Sequence, residues 1–167
     1  MNTQVIQIFR LSVDGYGYAG SVKDVKPPKI SEKVENFRGG GMGGEVEVPV
    51  GTEMDAMEFT LSEVAPNVLK RFGFVQGADK PFTLRSGIKD DAGKDVAHRY
   101  EVGGFLKEVD AGTIEAGKII ERKFSVSPRS FKEFINNELV IHIDHEKGVY
   151  VVNGHDKLAQ ARANAGV

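Results

Sequence analysis

Apolar and polar residues alternate with a period of two through most of this chain. Met57, Phe59 and Leu61 alternate with polar neighbours, and residues 96–102 show the same pattern. Because successive side chains of a strand point to opposite faces of a sheet, this period is typical of half-buried β-strands. Roughly eight such segments separated by turn residues predict an α+β fold that is mainly antiparallel β, arranged as a sandwich or an open barrel.

Turn residues and prolines mark the ends of the predicted strands. Pro49 and Pro128 are predicted to end strands, because proline cannot donate a backbone hydrogen bond to a neighbouring strand. Gly103-Gly104 predicts a β-bulge, Asn136-Asn137 predicts a hairpin turn, and Asp14-Gly15 is a type I′ turn signal after the first strand. The alternation in that first strand places four residues on one face, namely Val5, Phe9, Leu11 and Val13.

Two short segments are predicted to be helices that flank the sheet. Pro66 suits the first turn of one helix, and Gly73 is placed to end it. The apolar stripe of this helix consists of Val68, Leu69 and Phe72. The second helix is the alanine-rich segment 156–165, closed by Gly166.

A glycine-rich run interrupts the strand pattern between Phe37 and Val46. It comprises Gly39, Gly40, Gly41, Met42, Gly43 and Gly44. Glycine loses the most backbone entropy on ordering, so a chain keeps such a run where it turns through positive φ or where another backbone comes close. Met42 is a large apolar side chain on a loop with no local core, which a contact from another molecule would explain. A flexible surface loop is the alternative interpretation.

The spacing of Gly39, Gly41 and Gly44 matches the dinucleotide-binding fingerprint, but its context excludes that function. The fingerprint requires a helix after the glycines, so that the helix N-terminus meets the pyrophosphate. Residues 45–48 instead alternate with a period of two, which predicts a strand. No cofactor is therefore expected.

Composition narrows the class of protein further. The length favours one domain spanning residues 1–167. No segment approaches the ~18 apolar residues of a membrane-spanning helix, and the N-terminus lacks the apolar core of a signal peptide, so no membrane anchor is expected. Cysteine is absent, which excludes disulfides. With 22 basic and 24 acidic residues the net charge is -2, so the chain as a whole has no basic field that attracts nucleic acid.

The reactive side chains do not form a catalytic pattern. His142 and His145 lie near two carboxylates in the sequence, but positions three apart on a strand point to opposite faces and cannot converge on one metal ion. No serine stands in a Gly-x-Ser-x-Gly elbow, and no Gly-Lys pair precedes serine or threonine as in a phosphate-binding loop. Neither a catalytic residue nor a metal site is predicted, and the chain is not expected to be an enzyme.

Six short blocks of residues follow one another over nearly the whole chain. They are Asp14-Gly15 with Pro28-Lys29; Lys33-x-Glu35-x-Phe37-Arg38; Gly40-Gly41-Met42; Gly104-x-Leu106-Lys107-Glu108-Val109-Asp110 with Ala116-Gly117; Val152-Asn153-Gly154-x-Asp156-x-Leu158; and Ala165-Gly166-Val167. In this order and spacing the chain resembles the major tail tube protein of contractile-tailed bacteriophages and the related tube protein of R-type pyocins. It departs from the family at Asn136-Asn137, where Asp-Gly is common.

The resemblance implies a structural protein that forms hexameric rings, stacked into a hollow tube inside a contractile sheath. The implied partners are other copies of the chain, the tail sheath protein, and the baseplate initiator, tape-measure and tail terminator proteins. Double-stranded DNA would pass through the tube without specific binding. The implied location is the virion tail, assembled in the host bacterial cytoplasm. Pyocin tubes carry no genome, and the blocks do not separate the two kinds of particle.

The resemblance also implies that a long loop or hairpin of each subunit reaches a neighbouring ring. The predicted inter-subunit contact consists of Arg38, Gly39, Gly40, Gly41, Met42, Gly43 and Gly44. Glu45 and Glu47 alternate with Val46 and Val48, so the two carboxylates share one strand face and are predicted to face water. That water is either the lumen, which we favour, or the gap beneath the sheath. The alternatives are a monomeric β-rich binding or adaptor module and the tube protein of a type VI secretion system.

Overall fold

The computed structural model describes residues 2–13, 15–18, 20–74 and 81–167. Within these residues the chain forms strands and two short helices. In chain order the elements are β1 (Gln4–Val13), β2 (Tyr16–Gly17), β3 (Val22–Lys26), β4 (Ile30–Phe37), β5 (Val46–Met54), β6 (Met57–Leu61), α1 (Pro66–Leu69), β7 (Phe82–Asp90), β8 (Asp95–Asp110), β9 (Arg122–Ile135), β10 (Glu138–Asp144), β11 (Val149–Val152), β12 (His155–Asp156) and α2 (Ala159–Ala165). The paired strands are antiparallel, and the predicted α+β class is confirmed.

Strand β9 is the centre of the main sheet. Strand β8 pairs along one edge of β9, and two strands share the other edge: β6 pairs with its first half and β10 with its second half. Beyond β8 the sheet continues through β7 to β1 and β2, while β3 extends β6, and β11 and β12 extend β10. We call this ten-stranded sheet with its helices the body.

Pro128 lies inside β9, so the prediction that it ends a strand is wrong. Val126 is the last residue of β9 that pairs with β6, and Ser130 is the first that pairs with β10. Pro128 falls in the gap between these two partners, where the missing N–H interrupts neither pairing. Opposite Pro128, the ladder to β8 shifts register between Gly103 and Gly104, which confirms the predicted bulge.

The core of the body lies inside the curved sheet. Strands β1 and β6 lie far apart in the pairing order of the sheet, yet Leu11 of β1 and Phe59 of β6 belong to the same buried cluster. The sheet therefore curls toward an open barrel. The Phe59 ring stacks on the Phe124 ring of β9 at a centroid distance of 5.1 Å. From α1, Val68 is buried in the same core, but the helix ends at Leu69. Phe72 is therefore 57% exposed, and its predicted place in the apolar stripe is wrong.

A bulge in β1 changes the faces that the sequence predicts. Ile6 pairs with Ile88 of β7 and Ile8 pairs with Gly87, so one residue of β1 between them is unpaired. The alternation reverses at this point, which places Val5 on the face opposite Leu11. The prediction that Val5 shares the core face is therefore wrong.

The predicted turn between β9 and β10 and the predicted end of α2 both contain residues in the left-handed conformation. Asn136 and Asn137 have φ of 51° and 63°, which confirms the hairpin turn between β9 and β10. Gly166 has φ of 75° and ends α2 as predicted. Of the predicted turn after β1, Gly15 has φ of 82° and Asp14 lies outside the described residues. The second helix begins at Ala159 rather than residue 156.

Asp156 anchors α2, which buries none of its own residues. Its carboxylate accepts hydrogen bonds from the Arg162 guanidinium and from the Leu158 N–H, and Arg162 also donates to the Gly148 carbonyl oxygen at 2.7 Å. The hydrogen bond from Arg162 is the main cause that lowers the pKa of Asp156 from 3.8 to about 2.

We expect α2 to detach in acid. Because the pKa of Asp156 is lower in the folded chain than in the unfolded chain, its stabilising effect is present above pH 3.8 and is lost as the pH falls toward about 2. NMR amide shifts of α2, followed between pH 5 and pH 2, check this. In Asp156→Asn the amide shifts of α2 should be nearly independent of pH over that range, and a pH response equal to that of the parent chain would contradict the assignment.

Candidate functional site

Strands β4 and β5 form a hairpin separate from the main sheet, which we call the arm (residues 30–54). They pair only with each other among the described strands, from Ile30 opposite Met54 to Phe37 opposite Val46. Beyond residues 30–32 and 52–54, the arm is exposed except at Gly39 and Met42. The prediction that Pro49 ends a strand is wrong, because β5 continues to Met54 with Pro49 paired opposite Val34, next to a register shift. Among the described strands β5 has a partner on one edge only, and proline is tolerated in such edge strands and at bulges.

The glycine-rich run forms the tip of the arm and holds its own methionine. The Met42 N–H donates to the Gly39 carbonyl oxygen at 3.2 Å, and the Gly39 N–H lies 3.1 Å from the Met42 sulfur. Met42 is half-buried by the tip itself, while the core contains no residue of the run, so its contact with another molecule stays a prediction. Gly41 has a positive φ of +85°, and the other four glycines do not. Gly41 is the third residue of the turn from Gly39 to Met42, the position at which a type II turn requires a positive φ.

One strand face of the arm is largely apolar, although Glu35 also lies on it, opposite Val48. Phe37 pairs with Val46, and Val48 follows on the same face; these three side chains are 41–57% exposed. Glu47 pairs with Asn36 on the other face, as its alternation with the valines predicts. Glu45 precedes β5 and is exposed. An isolated two-stranded hairpin is marginally stable in water, so an exposed apolar face on it is a candidate contact surface.

The first half of β1 is a second exposed apolar surface, which sequence reasoning missed. Strand β7 pairs with one edge of β1, whereas β2 covers the other edge only at Ser12 and Val13. Val5, Ile6 and Ile8 are 59–75% exposed, and the bulge distributes them over both faces. Their near-continuous apolar run was the available signal, since it is typical of a strand covered on both faces. An uncovered edge of this kind is a site for strand addition.

The residues considered for a metal site are engaged elsewhere. Within the described ranges, no group of three or more His, Asp or Glu side chains is placed to hold a metal ion. Burial is the main cause that lowers the pKa of His142, and the Lys132 ammonium adds to it. His145 Nε2 lies 3.0 Å from Thr52 Oγ1, and Glu146 pairs with Arg129. No helix in the described part of the chain has the length and apolar character to cross a membrane.

The comparison with protein families identifies the chain. A family model described as phage tail tube protein FII matches residues 3–166. The chain belongs to this family. It is 32% identical over 166 residues to the tail tube protein of Escherichia phage P2, covering 97% of this chain and 96% of the relative. It is 26% identical over 151 residues to the major tail tube protein of Serratia phage KSP20, covering 89% and 87%. The resemblance found in the sequence is confirmed, and the chain is a structural component of a phage tail.

Solved structures with low identity show that the fold is shared more widely. A chain of the anti-feeding prophage baseplate, from a six-fold symmetrised cryo-EM structure, matches with a TM-score of 0.54 at 8% identity, covering 76% of this chain and 91% of that one. Hcp1 from Flavobacterium johnsoniae matches with a TM-score of 0.51 at 12% identity, covering 82% and 98%. These matches establish the likeness of fold.

Substitutions at the tip separate its local geometry from its contacts. We expect Gly40→Val and Gly41→Val both to reduce tube yield with little change in the stability of the body, because the arm lies outside the core. Only Gly41→Val should also distort the tip in the isolated subunit, since valine avoids positive φ. Negative-stain tube counts and NMR of the loop amides measure the two effects. Normal tube yield from both variants would show that no neighbour approaches the tip.

Proposed function

We propose that this chain assembles into hexameric rings that stack into the inner tube of a contractile phage tail. The observation that carries this proposal is the arm, a hairpin outside the body that exposes an apolar face in a member of the tail tube family. A second copy of the chain is its proposed partner, and the uncovered edge of β1 supports assembly between copies as well. The contact residues of the tip are Arg38, Gly39, Gly40, Gly41, Met42, Gly43 and Gly44.

The other proposed partners follow from the same proposal. The outer wall of the tube contacts the tail sheath protein, and its ends contact the baseplate initiator, the tape-measure protein and the tail terminator. The rings assemble in the host bacterial cytoplasm, and double-stranded DNA passes through the lumen without specific binding. The tube carries out no enzymatic reaction.

Purified protein tests assembly directly. We expect rings or tubes in negative-stain images, with a critical concentration that falls when a baseplate initiator is added. A strictly monomeric species in light scattering at every protein and salt concentration, with and without initiator, would instead support a monomeric binding module. Packaged DNA in particles that contain the chain separates a phage tail from a pyocin-like particle.

Glu45 and Glu47 are proposed to line the lumen. Both are exposed on the arm, and the valines that alternate with them are available for contact with protein. Acidic rings repeated along the tube would keep a duplex from adhering, whereas basic rings would bind phosphates with a steep dependence on salt.

We expect a phage with Glu45→Lys and Glu47→Lys to build normal tails but to eject DNA slowly, with partial recovery in high salt. Time-resolved ejection in vitro measures this, and Glu138→Lys is the control because it reverses a charge at the exposed start of β10, on the body. Ejection at the normal rate from well-formed tails would place both glutamates outside the lumen.

A further inference from the structure

One cross-strand pair of the arm is hydrogen-bonded to the body. Glu32 of β4 pairs directly with Thr52 of β5. The Tyr150 hydroxyl of β11 donates to Glu32 Oε1 at 2.5 Å, and Thr52 Oγ1 lies 3.0 Å from His145 Nε2. His145 follows β10 directly, and Tyr150 is the second residue of β11, so the two body residues flank the turn of one hairpin. Each strand of the arm is thus held by one side of that turn.

The pair lies at the point where the arm leaves the body. One step closer to the body on the same face, Ile30 and Met54 pack against the core. One step further out, at Lys33 and Gly51, the exposed part of the arm begins. The Asp55 N–H donates to the Lys29 carbonyl oxygen at 2.9 Å and closes the base. Without the contacts of Glu32 and Thr52, the Ile30–Met54 pair, the Asp55–Lys29 hydrogen bond and the connections to β3 and β6 would be left to fix the direction of a long hairpin.

We propose that Glu32, Thr52, His145 and Tyr150 form a latch that sets the direction of the arm, so that its tip is oriented before it meets a neighbouring subunit. The inference rests on the proposed function, in which the arm is the contact between copies. These four are positioning residues, since they lie at the base of the arm and act through it. Pre-organised contacts lose less conformational entropy on assembly, so the latch lowers the concentration at which tubes form.

Two further observations agree with a defined geometry at Tyr150. The hydrogen bond to Glu32 is the main cause that raises the pKa of Tyr150, as expected for a neutral phenol donating to a carboxylate. The Lys157 ammonium lies over the Tyr150 ring, 5.0 Å from its centroid, and this contact also restrains the ring.

The absence of cysteine allows a direct measurement of arm direction. Arg38→Cys at the tip and Glu138→Cys on the body introduce two sites for spin labels, and pulsed electron–electron double resonance gives the distribution of distances between them. Dilute protein that sediments as single subunits is used, so that no neighbour orders the arm. We expect a narrow distribution in the labelled parent and a distribution at least about twice as wide in Tyr150→Phe/Thr52→Val, because both hydrogen bonds are then lost.

Control variants keep the test specific to the latch. Tyr16→Phe removes a hydroxyl from an exposed tyrosine away from the latch and should leave the distribution narrow. Glu32→Gln keeps an acceptor for Tyr150 and should also remain narrow. The urea transition of Tyr150→Phe/Thr52→Val should stay cooperative, with a midpoint lowered by no more than the two lost hydrogen bonds account for. Its critical concentration for tubes should rise about tenfold, the effect expected for a lost hydrogen bond to a charged group.

The outcomes separate the latch from the proposed function. A distribution that is already wide in the parent, or that stays narrow in the double variant, overturns the latch whether or not tubes form. A narrow parent and a wide variant in a protein that never assembles support the latch and overturn the ring proposal. An unchanged critical concentration with a widened distribution overturns the claim that arm direction matters for assembly.

Discussion

Gly104→Ala is expected to lower the free energy of unfolding by about 3 kcal/mol, the largest stability effect among the variants considered. A Cβ at Gly104 would lie 2.0 Å from the carbonyl oxygen of Ser127 and 3.1 Å from the Cα of Pro128. These are backbone atoms of the adjacent central strand β9, so no side-chain rotation relieves the clash. The bulge between β8 and β9 would have to open, and the strands that depend on β9 would shift with it.

Gly103→Ala is the matched control for this prediction. A Cβ at Gly103 would lie 2.3 Å from Ser130 Oγ, which is the end of a side chain and can rotate away. We therefore expect a loss of about 1 kcal/mol or less. Urea unfolding of dilute protein, followed by circular dichroism, measures both variants. Equal midpoints for Gly103→Ala and Gly104→Ala would show that β9 accommodates a methyl group at the bulge.

Removal of the arm is expected to abolish tubes without unfolding the body. Residues 33–51 can be replaced by Asn-Gly, because Glu32 and Thr52 are cross-strand partners and a two-residue type I′ turn closes such a pair. The core contains no residue of the deleted segment. The free energy of unfolding from urea titration should therefore lie within about 0.5 kcal/mol of the parent's. Negative-stain images should show no tubes at concentrations where the parent chain assembles.

The arm variant also tests the alternative contact through β1. If shortened subunits still form single rings that do not stack, the arm acts between rings and the edge of β1 acts within them. Gly20→Ala is a suitable full-length control, since Gly20 lies outside the arm, a Cβ there meets open space and φ is not positive. Tubes of normal length from the shortened chain would contradict the proposed role of the arm.

Local pattern was sufficient to predict most elements and the class of the fold. Strand β6 and the first half of β8 follow from alternation, since each keeps one backbone conformation over that length. The turn at Asn136-Asn137 and the end of α2 at Gly166 follow from residues that tolerate positive φ. The blocks from Lys33 to Leu158 indicated the tail tube family, which the comparisons confirmed. The predictions of the strands, the turn and the helix end need only neighbours in the sequence, whereas the family resemblance needs the order of blocks along the chain.

The sequence alone did not determine how far each strand pairs with its neighbours. Pro49 and Pro128 both lie inside strands, because the effect of a missing N–H depends on whether a partner occupies that edge. The face of Val5 depended on a bulge against β7, which pairs residues about eighty positions apart. The latch joins Glu32 to Tyr150 across 118 residues and Thr52 to His145 across 93. Such contacts form only in the folded chain, because the tertiary arrangement of distant strands, and not local propensity, brings these groups together.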